Sequence, residues 1–287
     1  MPYIGSMCQF CHQHGEGKKW YLRAANYSEE LLGDLKRRRY IEEFFRHPEG
    51  ITSGASRLAE IDRLPAIVKN IVRPVLTGRQ MSHHFGQVLP VEDVAGVLSM
   101  TTSVVRLACI CRYATLKKEA RYCYGLSMAP GGGKILEILS ELDGTFLRGP
   151  DTSGFEVLSP QEALAAIKRH DDDGLCHTIW TFHTPFIGGI CNCDRADCQA
   201  LNISLNLKTK LLFRAEYVAR INEDACTGCR ECFSVCHFGA LEHSHASQAT
   251  RINPHLCYGC GVCRTACPTG AVELVERKMV PTAANLW

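Results

Sequence analysis

No stretch of this sequence approaches the roughly 18 consecutive apolar residues that a membrane-spanning helix needs. Its first residues also lack the charged-then-apolar layout of a secretory signal. The expectation is a cytoplasmic protein with no membrane span. No charge of one sign dominates. The 32 Lys and Arg against 30 Asp and Glu leave a net +2, too weak a field to recruit nucleic acid. The one dense cationic run, Lys36 to Arg39, reads as a solvated helix face. Two familiar signatures are incomplete. Gly131-Gly132-Gly133-Lys134 has Met128 where a phosphate-binding loop needs glycine and Ile135 where it needs Ser or Thr, so it reads as a flexible loop. His83-His84 has no acidic or histidine partner one helical turn on, and reads as a pair at a helix edge, not as a catalytic metal site. Nothing resembles a DNA-binding helix pair. With the nucleotide loop also missing, a redox sensor or maturation factor has no support.

Cysteine is what the chain has in excess, 17 in 287 residues. In a cytosolic chain of this size, thiols at that density read as metal or cluster ligands and not as disulfides. The ordinary apolar content, 46%, leaves enough hydrophobic material for a packed core and excludes a disordered or fibrous chain.

Periodicity predicts a mainly helical first part with short β pieces. Ser28 to Arg46 groups Leu31, Leu32, Leu35, Ile41, Phe44 and Phe45 on one helical face, ending at His47-Pro48. A second helix is expected over Ser56 to Val72, stopped near Pro74, and a third from Pro90 with Glu92 and Asp93 in its first turn. The β-branched run Val104 to Cys111 suggests a strand or a short buried segment. Ser159-Pro160-Gln161-Glu162 is a capping box opening a helix that turns Leu164 and Ile167 inward and stops near Gly174.

From Arg220 the chain repeats itself. Arg220-Ile221-Asn222 recurs as Arg251-Ile252-Asn253, and Cys226, Cys229, Cys232 and Cys236 recur 31 residues later as Cys257, Cys260, Cys263 and Cys267. A duplicated supersecondary unit is implied. Each copy reads C-x2-C-x2-C-x3-C, with Pro268 after the second. Three thiolates on a tight loop can reach three irons of one cubane, and a fourth at the following helix points toward a neighbouring cluster. Gly228 and Gly259 suit the sharp loop turns, where backbone N–H groups can reach cluster sulfurs. Zinc knuckles are the competing reading, but zinc takes four ligands per site and does not call for two interleaved groups of four.

This region closely resembles the bacterial two-cluster [4Fe-4S] ferredoxin domain. The resemblance implies that Cys226, Cys229, Cys232 and Cys267 hold one cluster, and that Cys257, Cys260, Cys263 and Cys236 hold the other. His237 departs from the pattern, standing where the first copy would have proline.

Nine cysteines lie outside the repeat. Cys176 stands alone in an apolar stretch and reads as a small buried hydrophobe. The other eight fall into short-spaced groups: Cys8 with Cys11, Cys109 and Cys111 with Cys123, and Cys191 and Cys193 with Cys198. They would suffice for two further four-thiolate sites, with the partition open. Cys8 to His12 also matches the haem attachment pattern C-x-x-C-H, which is rejected because covalent haem goes with an export route this N-terminus does not show; His12 and His14 read as exposed or auxiliary groups. Cys109-Ile110-Cys111-Arg112, Cys123 and Cys191-Asn192-Cys193 resemble the region upstream of the ferredoxin domain in multi-cluster 4Fe-4S binding proteins of anaerobes. That resemblance, over roughly residues 80 to 275, implies one or two additional iron–sulfur clusters. Structural zinc and unligated core thiols remain the alternatives, and Asp194 and Asp197 stand within the second element.

The expected organisation is α+β. Residues 1–209 form a mainly helical cysteine-rich domain, 210–276 a duplicated ββα-type two-cluster ferredoxin domain, and 277–287 a tail. The expected function is an iron–sulfur electron-transfer subunit serving a larger cytosolic oxidoreductase in anaerobic metabolism, its partners being redox enzyme or electron-carrier subunits. The alternative is a reductase with its own substrate site at an upstream cluster. No catalytic residue is assigned.

Overall fold

The computed structural model describes residues 19–61, 63–117, 120–142, 155–207, 209–244 and 248–286. Cys8, Cys11, His12 and His14 lie outside the described residues. Helices and strands mix as an α+β protein. The helices are α1 (Leu35–Arg46), α2 (Glu49–Ile61), α3 (Ala66–His83), α4 (Val91–Leu98), α5 (Ile110–Leu116), α6 (Gly133–Ser140), α7 (Pro160–Asp172), α8 (Gln199–Leu205), α9 (Glu231–Ser234) and α10 (Val262–Thr265). The strands are β1 (Gly86–Leu89), β2 (Ser103–Leu107), β3 (Cys123–Ser127), β4 (Glu156–Leu158), β5 (Cys176–Thr181), β6 (Ile187–Cys193), β7 (Leu212–Phe213), β8 (Tyr217–Ile221), β9 (Leu241–Ser244), β10 (Ala249–Ile252) and β11 (Val272–Glu276).

The first seven strands join in one sheet, ordered β4-β2-β3-β6-β5-β1-β7. Pairing is antiparallel except for β1 with β7. Side chains of a strand alternate between faces, and here both faces are covered. Val104, Tyr124, Leu126, Ile179 and Ile190 pack toward Val94 and Val97 of α4 and Ala163 and Ile167 of α7. Val105, Leu107, Cys123, Trp180 and Cys193 pack on the other side with Ile41 and Phe45 of α1 and Ile135, Ile138 and Leu139 of α6. That double coverage explains why β3 and β5 are buried at every position and read as continuous runs.

α4 and α7 begin where the sequence signals them, whereas the helix expected from Ser28 starts only at Leu35, an exposed residue, after a separate 3-10 turn over Glu29–Gly33. Asp34 caps α1 by accepting from the N–H groups of Lys36 and Arg37 at 2.8 and 3.3 Å. Ser159 and Glu162 form the full capping box of α7. The cationic run is not uniformly solvated: Arg37 is buried and donates through Nε to the carbonyls of Phe182 and His183 at 3.2 and 3.0 Å. The helix expected over Ser56 to Val72 is instead two. α2 ends at Ile61, before Pro65, and α3 runs through Pro74. Pro74 and Asn70, the residue whose carbonyl it leaves without an intrahelical donor, are both exposed, so water can stand in for the lost hydrogen bond. Val104 to Cys111 divides between β2 and the start of α5. The triple glycine is a left-handed turn into α6.

His84, the residue after α3, is buried, with Nδ1 2.5 Å from the Thr181 carbonyl. Burial pushes its imidazole down to about 4, against the opposite pull of that hydrogen bond. An unfolded histidine takes up its proton near pH 6.5, so between 6.5 and about 4 the unfolded chain binds more protons and stability falls as pH drops. The contribution is on the order of 3 kcal/mol. His84→Phe is expected to flatten the loss of denaturant midpoint between pH 6.5 and 4.5.

β7 leads directly into the cysteine repeat. β8 pairs antiparallel with β11, and β9 with β10. The two copies exchange equivalent bonds: Asn222 N–H donates to the Ala271 carbonyl and Asn253 N–H to that of Ala240, each at 2.8 Å. Gly228 and Gly259 have φ of 68° and 72°, and a Cβ at either would collide with a backbone carbonyl, Gln248 and Tyr217 respectively. The last residues are anchored by Arg277, which reaches Glu216 at 3.0 Å and the Ala284 carbonyl at 3.1 Å from a buried position.

Candidate functional site

Six of the upstream cysteines meet at one end of the seven-stranded sheet. Cys123 on β3 sits directly opposite Cys191 on β6, with their sulfurs 3.6 Å apart. Cys191 and Cys193, two residues apart on one strand, share a face. Cys109 is the residue before α5 and Cys111 lies in its first turn, while Cys198 is the residue before α8. Their thiols interact in a closed sequence: Cys109 with Cys111 and Cys123, Cys198 with Cys111 and Cys193, and Cys191 with Cys123 and Cys193. Hydrogen bonding from Cys111 and Cys123 pulls the Cys109 thiol well below its usual range, and Cys111 and Cys193 do the same for Cys198. The thiolate form is therefore favoured at these two sulfurs.

Arg112 answers that charge. Its guanidinium contacts Asn192 O at 3.2 Å and Asp197 at 3.2 Å, pairs with Asp194, and has Nη1 4.0 Å from Cys109 Sγ. It also lies over the Tyr122 ring, 4.4 Å from its centroid. Asp194 and Asp197 thus bind Arg112; in the sequence they stood only as residues within the cysteine element. Asn192, on the other face of β6 from its flanking cysteines, holds Tyr122 O and His177 Nδ1 at 3.0 and 2.6 Å.

In the repeat, the structure groups the cysteines across the two copies. Cys226, Cys229, Cys232 and Cys267 line one small cavity, and Cys236 lies within electrostatic reach of Cys257 and Cys263, as Cys232 does of Cys263. Main-chain N–H groups point at the sulfurs in matching pairs. Thr250 donates to Cys226 and Ala219 to Cys257 at 3.4 Å, Ala240 to Cys236 at 3.4 Å, and Ala271 to Cys267 at 3.3 Å. The first pair crosses between copies. Such donors favour anionic sulfur. Cys229 is exposed, whereas Cys257, Cys260 and Cys263 are buried.

The residue that sequence reasoning set aside is Cys176. It has no exposed surface, faces Cys193 across β5 and β6, and its thiol interacts with Cys260. That contact lowers Cys260 and raises Cys176, whose thiol also stands 3.8 Å from the His177 carbonyl. Only its apolar surroundings were visible in the sequence, and the fold supplies the second thiol. A parallel set of polar contacts ties the same two regions: His177 Nε2 stands 3.3 Å from Asp171, which accepts from Thr265 at 2.5 Å. Burial alone would raise the Asp171 carboxyl, but His177 and Thr265 hold it below the usual range. His237 completes the junction, accepting Arg195 N–H at Nδ1 (3.3 Å) and donating from Nε2 to the Gly174 carbonyl (2.8 Å). Its unusual place in the first copy is accounted for by that latch.

Among the described residues no three His, Cys, Asp or Glu are set to hold a single metal ion. The donor set fits iron–sulfur clusters, which spread thiolates over several irons, better than one zinc with sulfurs about 2.3 Å from it. Replacing Cys176 by Val removes the polar thiol beside Cys260 while keeping volume. The expected result is unchanged iron content with a more negative midpoint potential for the centre that includes Cys260, read by redox titration monitored by paramagnetic resonance.

Residues 219–277 match the 4Fe-4S dicluster domain family. No curated protein matches the chain.

Proposed function

We propose that this chain is an electron-transfer subunit in which two [4Fe-4S] clusters exchange electrons with a further iron–sulfur centre on the upstream cysteines. The dicluster domain carries an iron–sulfur electron-transfer role. The finer assignment gives one cluster to Cys226, Cys229, Cys232 and Cys267, and the other to Cys257, Cys260, Cys263 and Cys236. The additional centre belongs to Cys109, Cys111, Cys123, Cys191, Cys193 and Cys198, with Cys8 and Cys11 the remaining candidates for a second. When bound, such clusters accept and release single electrons. The protein's part is to fix their separation, burial and hydrogen bonds.

One observation carries the reading: Cys176 touches Cys260 on one side and faces Cys193 on the other, so the upstream thiols and the repeat are separated by one side chain. Exposed Cys229 marks the surface where a larger redox subunit would dock. Cytoplasmic residence in an anaerobic metabolism belongs to the same proposal; among the described residues no helix is long and apolar enough to cross a membrane. The second reading, a reductase with its own substrate site, is favoured by a large cavity that all six upstream cysteines line.

The test is iron, acid-labile sulfide and zinc per chain after anaerobic purification. About twelve or sixteen irons are expected; about eight would confine clusters to the repeat, and stoichiometric zinc would replace the upstream centre by a structural metal. Residues 210–287 alone are expected to retain about eight irons, because the duplicated unit supplies eight thiolates itself. Failure to bind iron without residues 1–209 would overturn that domain boundary.

A further inference from the structure

One side of the ring of six upstream thiols faces open space. They form the floor of a cavity of about 900 Å³ walled by α1, α2 and α3, close to the upper end of the roughly 300–1,000 Å³ typical of organic-ligand pockets. Aromatic rings, packed against one another, form part of its walls. Phe44 lies 4.9 Å from His84 and 5.4 Å from Phe182, and His84 stacks on Trp180 at 4.8 Å. Polar atoms in these walls are already engaged by the protein. His84 Nδ1 contacts Thr181 O at 2.5 Å, Trp180 Nε1 donates to Thr178 Oγ1 at 2.8 Å, and Gln80 Nε2 donates to His84 O at 2.6 Å. Charge in the lining stands on exposed Glu43, Arg57 and Arg79 and on buried Arg112, whose guanidinium is already held by Asp194 and Asp197.

Two glycines keep the space open. Gly50 and Gly54 lie four residues apart on α2, line the cavity, and would project a Cβ into empty space. Glycine inside a helix is unfavourable because it surrenders the most backbone freedom, and nothing in the packing of α2 requires it at either position. Larger side chains there would shorten the chamber from above, as the cysteines bound it from below.

We propose that this chamber binds a flat, apolar ring compound, stacked among Phe44, Trp180 and Phe182 directly over the six-cysteine centre. The inference rests on the second reading given above and supplies its ligand class. Rings stack or meet edge-to-face with such walls, whereas a ligand with many buried polar groups would find no free partners. A single polar substituent can reach the charged residues of the lining.

The probe is 2-naphthol, titrated calorimetrically into the anaerobically purified full-length holoprotein, with the visible spectrum of the clusters recorded alongside. One equivalent should bind per chain and perturb the spectrum. Gly54→Leu and Gly50→Leu, which fill the chamber while favouring the helix, should each weaken binding at least tenfold. Gly78→Leu, on α3 with open space around it and outside the chamber, should leave binding unchanged. Absence of binding to the natural protein, or equal binding by both filled variants, overturns the proposal. The iron count separates the two ideas. Twelve or more irons with no effect of the filled variants sinks the ligand and spares the cluster, whereas about eight irons with binding abolished by Gly54→Leu spares the ligand site and sinks the upstream cluster.

Discussion

Arg112→Ala is expected to destabilise the protein by about 3–5 kcal/mol and to remove the upstream iron while leaving the iron of the repeat in place. The guanidinium is buried, paired with Asp194 and Asp197, and the nearest cation to Cys109. Truncating it strands two half-buried carboxylates beside thiols that carry negative charge, and breaking a buried pair by removing one partner is far costlier than replacing the whole pair. Arg112→Ala combined with Asp194→Asn and Asp197→Asn should therefore recover part of the stability, as judged from the denaturant midpoint. It should not recover the iron if the cation is what makes the thiolates tolerable. A single variant with unchanged stability and iron would remove Arg112 from the site.

The second large effect is the loss of one cluster at a time. Cys236→Ala and Cys260→Ala should perturb the same paramagnetic signal, and Cys229→Ala and Cys267→Ala the other. Each variant is expected to lose about four irons, or to retain a damaged cluster. The expectation draws on the cavity that Cys267 lines together with Cys226, Cys229 and Cys232. If the signals grouped Cys236 with Cys229, each copy would be a closed four-cysteine site and the zinc-knuckle reading would regain ground.

Local signals were legible where a few adjacent residues decide the outcome. The repeat spacing, the Ser159 capping box, the helix after Pro90 and the tight turns at Gly228 and Gly259 all involve chemistry within one or two turns of chain. The seven-stranded sheet was harder to see because β3 and β5 are buried on both faces and carry no alternation. Pro74 misled for a related reason: it ends a helix only when the lost backbone bond has no other outlet, and exposure is not written in the sequence. The eight upstream cysteines were visible as short-spaced groups, but that six converge depends on β3 lying beside β6, a pairing 68 residues apart in the chain. The same fold-level pairing gives Cys176 its partners, and gives Asp194 and Asp197 an arginine to bind.

The exchange of strands and donors between the two copies also sets an order of events during synthesis. The strand that closes β8 is β11, near the end of the chain, and the fourth thiol beside Cys226, Cys229 and Cys232 is Cys267. Arg277, which secures Glu216 ahead of β8, is translated later still. At about 5–20 residues per second, the first copy waits several seconds after emerging before its missing parts arrive. During that interval its three thiols stand open to oxidation or to a stray metal, because their fourth partner follows only at Cys267.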